Sequence, residues 1–186
     1  MLKFQSYLSL SIFIIIFASF TGCGYHFKDQ GEPQGIRLTS IAIPLITSTS
    51  TVKGFEAGFT EMIRNEFISH AKIPILPKEE AQAVLTGHIY EIRREPVSFN
   101  REPYTLDGHQ SSYETTNAAF LKIKLDIRLV DRPTDKTIWH EKAMEEKVRY
   151  GIGTDPIANQ YNHQQALLKI AKALAKRVYL KTMERF

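Results

Sequence analysis

Ala119-Phe120-Leu121-Lys122-Ile123-Lys124-Leu125-Asp126-Ile127-Arg128-Leu129 is the stretch that decides the fold. Ala119, Leu121, Ile123, Leu125, Ile127 and Leu129 alternate with Lys122, Lys124, Asp126 and Arg128. Successive strand side chains point to opposite faces, so this pattern predicts a strand packed on one face and wet on the other. Everything else in the chain has to supply the cover for that apolar face.

Downstream, Asp131-Arg132-Pro133-Thr134-Asp135 carries turn residues. Lys136–Tyr150 then predicts a returning strand, with Trp139 and Ala143 on one side and Ile138, Met144, Val148 and Tyr150 on the other. Gly151–Pro156 breaks the pattern. From Ile157 to Glu184, Leu167, Ile170, Ala171, Leu174, Val178 and Met183 recur at helical spacing, and Lys169, Lys172, Lys176, Arg177, Lys181 and Arg185 lie mostly off that stripe. Cations in the last turns suit the negative end of the helix dipole, and a solvated basic face is the simplest reading of them.

Upstream, Gln82–Phe99 predicts a strand with Leu85, Gly87 and Ile89 on one face and Val84, Thr86, His88, Tyr90 and Ile92 on the other. Asn100–Gln110, with Pro103, Asp107 and Gly108, reads as a polar loop. Phe55, Phe59, Met62, Ile63, Phe67 and Ala71 mark one stripe of a helix over Gly54–Lys72, closed by Pro74 and Pro77. Before it, Thr47–Thr51 reads as a capping loop. Arg37–Ile46 reads as the first strand, with Ile41, Ile43 and Leu45 facing one way. The order β-α-β-β-β-α predicts an α/β two-layer sandwich, a four-stranded mixed sheet with two helices on one face. The face carrying Lys122, Lys124, Asp126 and Arg128 is then left uncovered.

The amino end is of a different kind. Lys3 is followed by 13 mostly apolar residues, Leu8–Phe20, which is the shape of a secretory signal and short for a membrane span. Phe20-Thr21-Gly22 leads into Cys23, the only cysteine. That junction resembles a bacterial lipobox, with Phe20 in place of the usual Leu. The resemblance implies that Cys23 becomes the first mature residue and carries acyl chains, several of which anchor stably where one alone holds weakly. The organisation expected is a signal peptide over 1–22, a lipid-anchored tether over 23–35 and a single α/β domain over 36–186. No cofactor is expected beyond the covalent lipid on Cys23.

The whole chain has a formal charge of +4; without residues 1–22, which contain Lys3, it is +3. That is far from the basic stripe of a nucleic-acid binder, so no nucleic-acid partner is expected. The six histidines show no pair spaced for a metal, and no GxSxG elbow or phosphate loop occurs. Gly151-Ile152-Gly153 lacks the third glycine of a dinucleotide motif. His88 and His140 fall in strands and read as satisfied structural residues. Glu141, Glu145 and Glu146 lie along a strand without an evident cleft. The expectation is a binding or assembly protein, not an enzyme, with no metal and no catalytic residue.

Cys23-Gly24-Tyr25-His26-Phe27, a strand ending in Ile43-Pro44, and Gly54-Phe55-Glu56 opening a helix resemble the lipopolysaccharide-assembly lipoprotein family LptE. Ala83-Val84-Leu85-Thr86-Gly87-His88-Ile89 and Thr137-Ile138-Trp139 are similar to that family's second and fourth strands. Thr47-Ser48-Thr49 departs from the aromatic and Asn that often follow its first strand. The resemblance implies an outer-membrane lipoprotein, held by its acyl chains on the periplasmic side, that plugs the LptD β-barrel, helps it assemble and assists lipopolysaccharide delivery. It also implies lipopolysaccharide binding by basic residues near strand ends and loops. Arg93, Arg94, Arg101, Lys122 and Lys124 are the candidates on chemical grounds, because guanidinium and ammonium groups match phosphates. The alternative is a periplasmic lipoprotein subunit or activator of a transporter or cell-wall synthase that makes protein contacts only. Cys23→Ala is expected to release the protein into the soluble periplasmic fraction. Continued pelleting with membranes, with no lipid adduct by mass spectrometry, contradicts the lipobox reading.

Overall fold

A computed structural model describes residues 38–49, 54–71 and 73–186. The signal peptide, the Cys23 anchor and the 23–35 tether lie outside the described residues. The elements, in chain order, are β1 (Ile41–Ala42), β2 (Thr47–Ser48), α1 (Phe55–His70), β3 (Ala83–Leu106), β4 (His109–Asp131), β5 (Lys136–Gly151) and α2 (Pro156–Met183). β3, β4 and β5 form an antiparallel meander, and β1 and β2 both pair parallel to β3 on its other side. The architecture is the α/β sandwich expected from the alternation in β4.

That alternation builds the core. Ala119, Leu121, Ile123, Leu125, Ile127 and Leu129 are all buried, while Lys122, Lys124 and Asp126 are half-buried and Arg128 is exposed. Phe59, Ile63 and Phe67 of α1 and Ile170, Ala171, Leu174 and Val178 of α2 belong to the same buried cluster. The two helices meet where the Phe67 ring stands edge-on to Tyr179, with centroids 5.3 Å apart. α2 begins at Asp155, whose side chain accepts a hydrogen bond from the Ile157 backbone N–H at 2.9 Å, and Pro156 occupies the first turn, where its missing N–H costs nothing.

Several expectations are corrected by the structure. The predicted first strand, Arg37–Ile46, is two short strands separated by an irregular step at Pro44, which cannot donate to a ladder. The step shifts the phase, so Leu45 is 59% exposed and Ile46 is fully buried. Gly87 makes room for Ile46: a Cβ at that position would lie 2.7 Å from Ile46 Cδ1. Thr47–Ser48, expected in a loop, adds to the sheet instead, and the Thr49 N–H continues that line to the Ile89 carbonyl at 3.0 Å. α1 has no side-chain cap; Gly54 precedes it in the left-handed region at φ 89°.

The largest correction concerns Asn100–Gln110. It is the end of a long hairpin and not a loop, with Leu106 opposite His109 across a two-residue turn. Asp107 and Gly108 take φ of 49° and 77°, the left-handed pair a tight hairpin turn requires. Every residue from Phe99 to Glu114 is exposed, so this part of the hairpin is an arm projecting beyond the helices.

Bulges account for the remaining shifts of face. Tyr90 is an extra residue in β3, so Ile92 crosses to the core side opposite Ile123. One extra residue in β5 between Glu141 and Met144 brings Trp139 onto the same side as Met144 and Tyr150, separating it from exposed Ala143. Leu125→Ala is expected to cost about 3 kcal/mol because it opens a cavity in the core, whereas Phe99→Ala on the arm costs less than about 0.5 kcal/mol. Urea unfolding of the two variants measures the contrast.

Candidate functional site

The candidate surface is the sheet face opposite the helices. Cross-strand partners share a face, so the register places Glu91 with Lys124, Arg93 with Lys122, and Thr86 with Arg128. On the β5 side Lys124 lies opposite Glu145, Lys122 opposite Lys147 and Arg128 opposite His140. Three of these positions set basic residue against basic residue, Arg93–Lys122, Lys122–Lys147 and Arg128–His140, while the carboxylates of the face each find a basic partner. Lys122 Nζ lies 2.9 Å from Glu145 Oε1, Lys124 Nζ lies 3.1 Å from Glu91 Oε2, and His140 Nε2 lies 2.9 Å from Asp126 Oδ1. Hydrogen bonding between Lys122 and Glu145 raises the pKa of the lysine and lowers that of the carboxyl, while partial desolvation opposes both shifts. Lys147 Nζ sits 5.1 Å from the centre of the Phe120 ring, which covers the one aromatic among these charges.

The five candidate cations do not form one patch. Arg93, Lys122 and Lys124 share the open face. Arg93 is the loosest of them, with its Nε 3.9 Å from Glu95 Oε1. Arg94, the next residue, points to the other side: it lies opposite Leu121, and its charge reaches His163 of α2. Arg101 stands alone on the arm, 3.3 Å from Glu114. Arg93 and Arg94 lie within β3 and not at its end, because the strand continues to Leu106.

Sequence reasoning missed the pairing on the helix side. Arg177 and Lys181 of α2 reach Glu141, and Arg177 also lies 3.9 Å from Glu146. Lys181 Nζ additionally sits 5.7 Å from the Trp139 ring centre. These two cations fasten α2 to β5, whereas Lys169, Lys172 and Lys176 stay exposed. His88 is held by Thr47, with Oγ1 to Nδ1 at 2.9 Å. Among the described residues no group of three His, Cys, Asp or Glu side chains could hold a metal ion, and no helix is long and apolar enough to cross a membrane. An apolar groove of about 340 Å³ opens between α1 and α2, lined by Phe55, Phe59, Met62, Leu167 and Leu168.

No family model matches the chain, and no curated protein matches it. Solved structures do. The solution structure of lipoprotein B from Nitrosomonas europaea superposes with a TM-score of 0.52 at 12% identity, covering 82% of this chain and 86% of that one. The chain shares the fold of lipoprotein B. Rare lipoprotein B from Shewanella oneidensis gives 0.49 at 11% identity over 78% and 95% of the two chains. A lipoprotein from Caulobacter crescentus gives 0.47 at 17% identity over 77% and 87%.

Burial, and then the Arg94 charge, lower the pKa of His163 from 6.5. The folded protein therefore binds this proton less readily than the unfolded chain. The associated stability is complete above pH 6.5 and is lost as pH falls through the folded pKa. Arg94→Gln is expected to raise the His163 pKa in an NMR titration, and Arg93→Gln to leave it unchanged. Equal shifts from both variants contradict the placement of the two arginines on opposite faces.

Proposed function

We propose that this chain is an outer-membrane lipoprotein that plugs the LptD β-barrel, helps it assemble and assists lipopolysaccharide delivery to the outer leaflet. The observation that carries this reading is the open sheet face, predominantly polar, whose carboxylates Glu91, Asp126 and Glu145 are each engaged by a basic side chain. A compact wedge with such a face suits the polar, water-facing interior of a large barrel, because its carboxylates enter already engaged by basic partners. Acyl chains on Cys23 would hold the wedge at the membrane while the folded domain sits within the barrel. The shared fold with lipoprotein B supports a lipoprotein-type domain.

Lipopolysaccharide phosphates would meet the cations with the weakest internal partners. Arg93 and Arg101 fit that description, since their carboxylate neighbours are distant or exposed. Lys122 and Lys124 are closely matched by Glu145 and Glu91, and their release for a phosphate would leave those carboxylates bare. Neutralising Arg93 and Arg101 together is therefore expected to weaken lipopolysaccharide binding at physiological salt by roughly tenfold, more than neutralising Lys122 and Lys124 together. Pull-down from detergent-solubilised membranes tests the larger claim: recovery of a large β-barrel partner supports the plug, and recovery without one contradicts it. A transporter or cell-wall synthase in its place favours the alternative subunit reading.

A further inference from the structure

The projecting arm has two outer edges, and they are unlike. On the β3 side, pairing with β2 ends at Ile89, and the strand beyond carries Pro96, Pro103 and the charges Arg93, Arg94, Glu95, Arg101 and Glu102. Prolines and charges are what keep an exposed edge from recruiting another strand. On the β4 side, pairing with β5 ends at Ala118, and the Asn117 carbonyl accepts the Ile152 N–H at 2.8 Å. Before that point, His109-Gln110-Ser111-Ser112-Tyr113-Glu114-Thr115-Thr116 has no strand on its outer side among the described residues. It contains no proline, no lysine and a single carboxylate. One edge is guarded and the other is open.

We propose that this open edge of β4 pairs antiparallel with the same edge of a second copy of the chain, about a two-fold axis at Tyr113. A two-fold axis normal to the sheet keeps opposed residues on one face only when the register centres on a residue. Centred on Tyr113, the register sets Tyr113 against Tyr113, Glu114 against Ser112, Thr115 against Ser111 and Thr116 against Gln110. No like charges oppose, and aromatic and hydroxyl pairs of this kind stabilise neighbouring strands. Tyr113 already lies beside Tyr104, with ring centroids 5.9 Å apart, so four rings gather across the axis. Centring on Ser112 instead loses the tyrosine pair. Association converts two ribbons, each marginal by itself, into one four-stranded sheet. The inference is independent of the proposed function and concerns the protein free of other partners.

The test uses charge at position 112, which the Tyr113 register places opposite Glu114 of the other copy. In sedimentation equilibrium of the detergent-solubilised full chain, Ser112→Lys is expected to tighten the dimer and Ser112→Glu to weaken it, each by at least fivefold. A monomer at every concentration, shifts of the same sign for both variants, or assembly beyond two copies overturns the proposal. A second arm uses oxidation: in a Cys23→Ala background, Tyr113→Cys should give a disulfide-linked dimer and Phe99→Cys should not. Circular dichroism confirms that each variant is folded. A wild-type dimer that Tyr113→Cys fails to link also overturns it.

Discussion

The pairing of β3 with β4 is the interaction on which the remainder of the molecule depends. These strands, 24 and 23 residues long, bond to each other along nearly their whole length. Only the half nearest the Asp131 turn is covered by helices. There the odd-numbered residues of β4 from Ala119 to Leu129 are sealed under α1 and α2, and the hydrophobic gain from burying them fixes the register. Slipping by one residue would drive Lys122, Lys124 and Asp126 into that core.

Fixing the register on the covered side also fixes what the uncovered side presents. The alternation that buries Ile123 and Leu125 sets Lys122 and Lys124 among Glu145 and Glu91, and Asp126 beside His140. Exposed ion pairs of this sort add little stability. Their consequence is electrical: the carboxylates of this face are matched locally, and the charge left over is basic.

The parts legible in the sequence were those governed by one period. The β4 alternation, the stripes of both helices and the Asp131–Asp135 turn follow directly from residue order. Bulges were not legible: nothing in the residues around Ala143 or Tyr90 announces the extra residue that moves Trp139 or Ile92 to the core side. The arm departs from the polar loop expected of Asn100–Gln110 because neither of its faces is buried, so that stretch shows no alternation, although Asp107-Gly108 carries the signal for a tight turn. Two of the candidate cations could have been separated from sequence alone. Arg93 and Arg94 are consecutive, and consecutive residues in a strand face opposite ways. The anchoring of α2 through Arg177 and Lys181 needed the structure, since their carboxylate partners come from β5.

The central claim is that one ladder is divided into a helix-covered half, which holds the fold together, and a bare half that stands out from it. Amide hydrogen exchange on dilute, monomeric protein tests this most directly. The amides of Leu121 to Leu129 should exchange only through global unfolding, and those of Arg101 to Glu114 at least a hundredfold faster. Protection of the arm equal to that of the covered strands would contradict the account.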